Sequence, residues 1–104
     1  MELLEFKKDS STGFSFVFER DLKANEEIIV KLPAISANKR GINDIGWLTN
    51  GDVTLYGTLA KNPKSEKALW QEIRVHDEVN KVTSAVKIVN NGGDCRIEMR
   101  AILN

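Results

Sequence analysis

Val82-Thr83-Ser84-Ala85-Val86-Lys87-Ile88-Val89-Asn90-Asn91-Gly92-Gly93-Asp94-Cys95-Arg96-Ile97-Glu98-Met99-Arg100-Ala101-Ile102-Leu103 contains two runs of period two. Val82, Ser84, Val86 and Ile88 fall on one face of the first, and Cys95, Ile97, Met99, Ala101 and Leu103 on one face of the second. Both read as strands with one buried side. Asn90-Asn91-Gly92-Gly93 between them supplies residues that tolerate positive φ. The pattern predicts a hairpin centred on Asn91-Gly92, with Ile88 opposite Cys95, Val86 opposite Ile97, Ser84 opposite Met99 and Val82 opposite Ala101. On its other face Thr83 opposes Arg100 and Ala85 opposes Glu98, while Lys87 opposes Arg96 and lies diagonal to Glu98. A slip of one residue would turn the whole apolar set outward, so the alternation specifies the register.

The same logic extends towards the N-terminus. Residues 42–48 and 53–60 predict a second hairpin, closed by Asn50-Gly51, with Leu48 opposite Val53 and Gly46 opposite Leu55. That register leaves Ile45, Trp47, Thr54 and Tyr56 together on the other face. Asn62-Pro63-Lys64-Ser65-Glu66-Lys67-Ala68-Leu69-Trp70 predicts a short helical crossover between sheets, because Asn suits the cap and Pro the first turn. Trp70 would pin it. Gln71 to Val75 then returns to extended structure.

Nearer the start, Leu4 and Phe6 alternate with charged residues in a short first strand that ends at the polar cluster Lys8 to Gly13. Phe14, Phe16 and Phe18 form an aromatic stripe expected in the core. Glu27 to Leu32 is a strand rich in β-branched residues, stopped by Pro33. Lys39-Arg40 belongs to a loop, where adjacent charges are solvated.

Composition sets the class. A chain of 104 residues with 41% hydrophobic and 29% charged content fits one soluble globular domain over residues 1–104. Fifteen basic and fifteen acidic residues leave a formal net charge of zero, without the basic surplus a general nucleic-acid binder uses. The start Met1-Glu2-Leu3-Leu4-Glu5-Phe6 lacks the pattern of a secretory signal, and no apolar run is long enough to cross a bilayer. The expectation is cytoplasmic synthesis, with no membrane partner.

Candidate chemistry is sparse. The one histidine, His76, has Asp77 and Glu78 as sequence neighbours, and alternation would aim at most one of them towards it. The single cysteine, Cys95, lies on the inward face of its strand, where a small buried thiol is expected rather than a nucleophile. No zinc spacing, calcium loop or phosphate-binding glycine motif occurs, and Glu72 and Glu98 would pair only if the fold joined them. The reading is therefore a protein with no catalytic residues, metal or cofactor. Its candidate ligand or interface surface is Ile45, Trp47, Thr54, Tyr56 and Trp70.

Three segments, Gly51-Asp52-Val53-Thr54-Leu55-Tyr56-Gly57-Thr58-Leu59, Ala68-Leu69-Trp70-Gln71-Glu72-Ile73 and Ser84-Ala85-Val86-Lys87-Ile88-Val89-Asn90-Asn91-Gly92, carry a resemblance. Over residues 45–103 the chain resembles small β-sandwich proteins of tailed bacteriophages, in which a strand of the type V-T-L-Y-G-[ST]-L precedes a tryptophan and a final hairpin. The resemblance implies a structural or accessory virion subunit present in repeated copies, with no catalytic residues to carry over. Taken with the strand count, the expectation is an all-β fold. It would be a two-layer antiparallel sandwich of jelly-roll type with one short helical crossover, a small β-barrel being the alternative. Apolar residues on both faces of 45–56 predict self-association, a trimer ahead of a dimer, with other virion proteins as further partners. The competing reading is a carbohydrate-binding module using Trp47, Tyr56 and Trp70 as a platform.

Overall fold

The computed structural model describes residues 3–8, 15–32, 42–74 and 84–103, and the side chains of all these except 15, 42–45, 102 and 103. Nine strands make up the described structure. They are β1 (Leu3–Glu5), β2 (Lys7–Lys8), β3 (Ser15–Leu22), β4 (Glu27–Lys31), β5 (Ile42–Thr49), β6 (Val53–Thr58), β7 (Gln71–Ile73), β8 (Ala85–Asn90) and β9 (Cys95–Leu103). They form a five-stranded sheet of order β1-β4-β8-β6-β7 and a four-stranded sheet of order β2-β3-β9-β5. The four-stranded sheet is antiparallel, whereas the other is mixed because β1 runs parallel to β4. Phe18, Leu22, Ile97, Met99 and Ala101 from one sheet share a buried core with Ile28, Val30, Leu55, Val86 and Ile88 from the other.

Neither expected hairpin forms. Strands β8 and β9 lie in different sheets, and so do β5 and β6. Each pair is an arch: the chain leaves one layer at the turn and enters the facing layer. Lys23–Glu26 joins β3 to β4 in the same way, so three arches stand side by side at one end of the molecule. The facing of the residues survives this change. Val86, Ile88, Cys95, Ile97, Met99 and Ala101 are all buried, and they meet across the core instead of side by side. Hydrogen bonding goes elsewhere: Val86 lies beside Val30 and Gly57, and Met99 beside Phe18 and Trp47. Thus Lys87, expected opposite Arg96, stands opposite Ile29 and Tyr56.

Asn90 ties the arches together. Its side chain, 1% exposed, donates from Nδ2 to Lys23 O at 2.8 Å and Gly93 O at 2.9 Å, and its Oδ1 accepts from Gly92 N–H at 3.1 Å. Three backbone groups of two arches are thereby satisfied by one buried amide, which removes the cost of burying them unpaired. Asn91 N–H donates to Asp52 O at 2.8 Å, joining the middle arch to the β5–β6 arch. Ala24 N–H donates to Asp94 Oδ1 at 2.9 Å, joining it to the β3–β4 arch. There Glu26 Oε1 accepts Lys23 N–H at 3.0 Å while Asn25 takes φ 62°, a region open to asparagine. Gly51 packs so tightly on the neighbouring arch that a Cβ there would lie 2.5 Å from Cys95 Cβ.

Two further expectations are corrected. Residues 62–68 form successive turns closed by Ser65 N–H to Asn62 O and Ala68 N–H to Ser65 O, and no helix occurs among the described residues. The segment does not cross between sheets either, since β6 and β7 are antiparallel neighbours in one sheet. Asn62 does accept a bond from Lys64 N–H at 3.2 Å, so its capping chemistry is used for a turn. At the other end, the expected first strand is split. β1 joins one sheet and β2 the other, with Phe6 between them and its ring 6.0 Å from that of Phe18. Phe18 is buried, Phe16 is half-buried against the core, and Phe14, His76, Val82, Thr83, Lys39 and Arg40 lie outside the described residues.

Candidate functional site

Alternation along β6 sends Val53, Leu55 and Gly57 towards the core and Thr54, Tyr56 and Thr58 to the outer face of the five-stranded sheet. The register places Thr54 opposite Val89, Tyr56 opposite Lys87 and Thr58 opposite Ala85 on β8. On β7, Glu72 stands opposite Tyr56, and Trp70 precedes the strand with the same parity. Thr54, Tyr56, Val89, Lys87 and Trp70 are half-buried there, while Ile29, Ala85 and Thr58 on the same face are buried. The open part of this face runs from the arches along Thr54, Val89, Tyr56 and Lys87, with Trp70 on the half away from them.

Lys87 organises that surface. Its Nζ lies 4.4 Å from the centroid of the Trp70 ring and 3.5 Å from Glu27 Oε1. The ammonium meets the negative π-face of the indole on one side and a carboxylate on the other. One face of Trp70 is therefore occupied by the protein's own cation. Asn91 Nδ2 donates to Thr54 Oγ1 at 2.8 Å and fixes that hydroxyl against the middle arch.

Of the five residues singled out from the sequence, the structure brings together Thr54, Tyr56 and Trp70. Trp47 is on the other sheet, opposite Met99, and packs on the core. Its separation from Tyr56 follows from the arch: a hairpin would put both on one face of one sheet, whereas an arch sends Trp47 inward from one layer and Tyr56 outward from the other. Ile45 pairs through its backbone with Ala101, and its side chain lies outside the described residues. Lys87 and Glu27 were missed. The signal for Lys87 was its place between Val86 and Ile88, but the face it shares with Tyr56 depends on the β6–β8 pairing, which the hairpin reading excluded.

The outer face of the four-stranded sheet is charged. Arg96 holds Glu19 Oε2 and Asp21 Oδ1, each at 3.1 Å, and Arg100 lies 3.2 Å from Glu98 Oε1. The hydrogen bond to Asp21 leads in raising the Arg96 pKa above its ordinary value; desolvation opposes it, and the charges of Asp21, Glu19 and Glu98 add to it. Glu72 and Glu98 lie on different sheets, each with an arginine beside it, and do not form a carboxylate pair. Among the described residues, no group of three or more His, Cys, Asp or Glu is arranged to hold a metal ion. Comparison of the chain with protein-family models, with curated proteins and with solved structures gives no match.

Proposed function

We propose that this protein is a non-enzymatic structural or assembly subunit that works by associating with copies of itself, and that it is virion-associated. The observation that carries the association is the exposure of three leucines: Leu48 at 74%, Leu59 at 58% and Leu69 at 87%. Leu59 follows β6 and Leu69 precedes β7, so both belong to the connection between these two paired strands. Large apolar side chains held in water favour burial against another chain. Zero net charge leaves no long-range repulsion to oppose this.

The finer fold supports the virion setting by analogy. We read the two sheets as a sandwich of jelly-roll type. The last arch, β8–β9, inserts between the arches β3–β4 and β5–β6 in both layers, which is how a Greek-key chain returns beside its beginning. Among the described residues, β5 lacks the further strand that a jelly roll carries beside it. Jelly rolls serve in viral capsids and in lectins alike, so the resemblance of residues 45–103 to phage sandwich proteins is what separates the two. A closed ring, a trimer ahead of a dimer, is the proposed assembly, made in the cytoplasm and carried into the particle.

Light scattering across a tenfold dilution tests the association. Oligomer mass at high concentration should fall towards monomer mass on dilution, and Leu69→Glu should move that transition to higher concentration. A monomer at every concentration sinks the assembly reading and puts the sugar platform first. That second reading is favoured by Tyr56 and Trp70 sharing one face, and it is weakened by Lys87 covering one side of the indole.

A further inference from the structure

The chain has two Asn-Gly steps in its arches, Asn50-Gly51 and Asn91-Gly92. At such a step the glycine nitrogen can attack the asparagine side-chain carbonyl, and the absence of a Cβ on the glycine keeps the approach open. Both asparagines are exposed, but the structure equips the two steps differently.

At Asn50, Oδ1 accepts the Arg96 backbone N–H at 2.9 Å. This is the oxygen on which negative charge grows when Cγ is attacked, so a fixed N–H aimed at it stabilises the tetrahedral intermediate as an oxyanion-hole donor does. The attacking Gly51 N–H is directed to Thr49 Oγ1 at 3.2 Å, and that hydroxyl is itself held by donating to Arg96 O at 2.9 Å. Asn50 Nδ2, the leaving group, has no partner among the described residues. At Asn91 the arrangement is reversed. Nδ2 is tied to Thr54 Oγ1 at 2.8 Å, the Asn91 backbone N–H is tied to Asp52 O, and Gly92 N–H is bonded to the buried Asn90 side chain. The leaving group is restrained there and Asn91 Oδ1 has no donor among the described residues, while Gly92 N–H meets a side-chain oxygen two residues back as Gly51 N–H does.

We propose that Asn50 is a site of spontaneous modification: the β5–β6 arch assembles its own succinimide-forming centre, and the β8–β9 arch suppresses one. The Gly51 N–Cγ bond forms, the Cγ–Nδ2 bond breaks, and the Gly51 proton leaves on the departing ammonia. Water then opens the ring at either carbonyl to give aspartate or isoaspartate. No electrons are exchanged, and the only co-reactant is water. Each event takes the formal net charge from zero to one negative, and the isoaspartate product lengthens the backbone of an arch that has no slack against Cys95.

The test is peptide mapping by mass spectrometry during incubation of the whole protein in mildly alkaline buffer, alongside the same chain unfolded in denaturant. In the unfolded chain the two steps should convert at similar rates. In the folded protein Asn50 should convert about tenfold or more ahead of Asn91, the separation expected from one well-placed oxyanion donor or less. Asn50→Gln should abolish the early acidic species on ion exchange, and Thr49→Val, which removes the acceptor but keeps the Arg96 N–H, should slow it. Equal rates in the folded protein, Asn91 leading, or no conversion at Asn50 while the unfolded chain reacts fully would each overturn the proposal.

Discussion

A methyl group at position 51 has no room: its carbon would sit 2.5 Å from Cys95 Cβ and 2.7 Å from Cys95 Sγ. Because Cβ is anchored to the backbone of β9, relief requires the two arches to part, and Gly51→Ala should cost about 1–3 kcal/mol in chemical denaturation. A change below a few tenths would mean the arches are loosely stacked. Ile97, two residues beyond Cys95 on the same inward face of β9, tests the core itself. It is fully buried at the centre of the core, and Ile97→Ala should cost about 2–5 kcal/mol, read in the same way. This residue was legible from its alternation with Arg96 and Glu98, and so were Val86, Ile88 and Met99. Asn90 was not. Within a run of Asn and Gly it reads as turn chemistry, and nothing local reveals that its amide is buried and shared between two arches.

At the scale of elements, alternation specifies which residues face inward but not which strand lies alongside. For β8 and β9 an arch and a hairpin bury the same set, since their inward residues meet in either case, whereas for β5 and β6 the arch turns Trp47 inward and leaves Leu48 exposed. Nuclear Overhauser contacts separate the two. Backbone protons of Met99 should show contacts to Phe18 and Trp47, and those of Ile88 to Ile28 and Leu55, with no cross-strand contacts between Ile88 and Cys95 or Val86 and Ile97. A Val86–Ile97 backbone contact would restore the hairpin. The candidate surface was half legible for this reason. Thr54 and Tyr56 share a face by spacing alone, and Trp70 joins them through β7, but Trp47 depended on the pairing and went to the opposite layer. The helix reading failed in a related way. Asn62 and Pro63 suit a helix start, yet the segment between β6 and β7 has only to reverse the chain between neighbours, and two turns do that.

For the whole molecule, the proposed association rests on the exposure of Leu48, Leu59 and Leu69, and the dilution experiment with Leu69→Glu is the measure of it. The arches have a consequence for how the molecule comes to exist. Among the described strands, only β2 with β3 and β6 with β7 are bonded to a neighbour in sequence, and Ser15 pairs with the distant Ile102. Closing such distant pairs spends chain entropy before contacts repay it, so refolding should fall in the slow range of milliseconds to seconds. Strand β9 lies between β3 and β5 and supplies the long ladders of both. During synthesis those two strands therefore wait, edges bare, until residues 95–103 leave the ribosome. Strand β9, the last of the described strands in sequence, thus closes the fold, and a nascent chain arrested before Cys95 should remain protease-sensitive in β3 and β5.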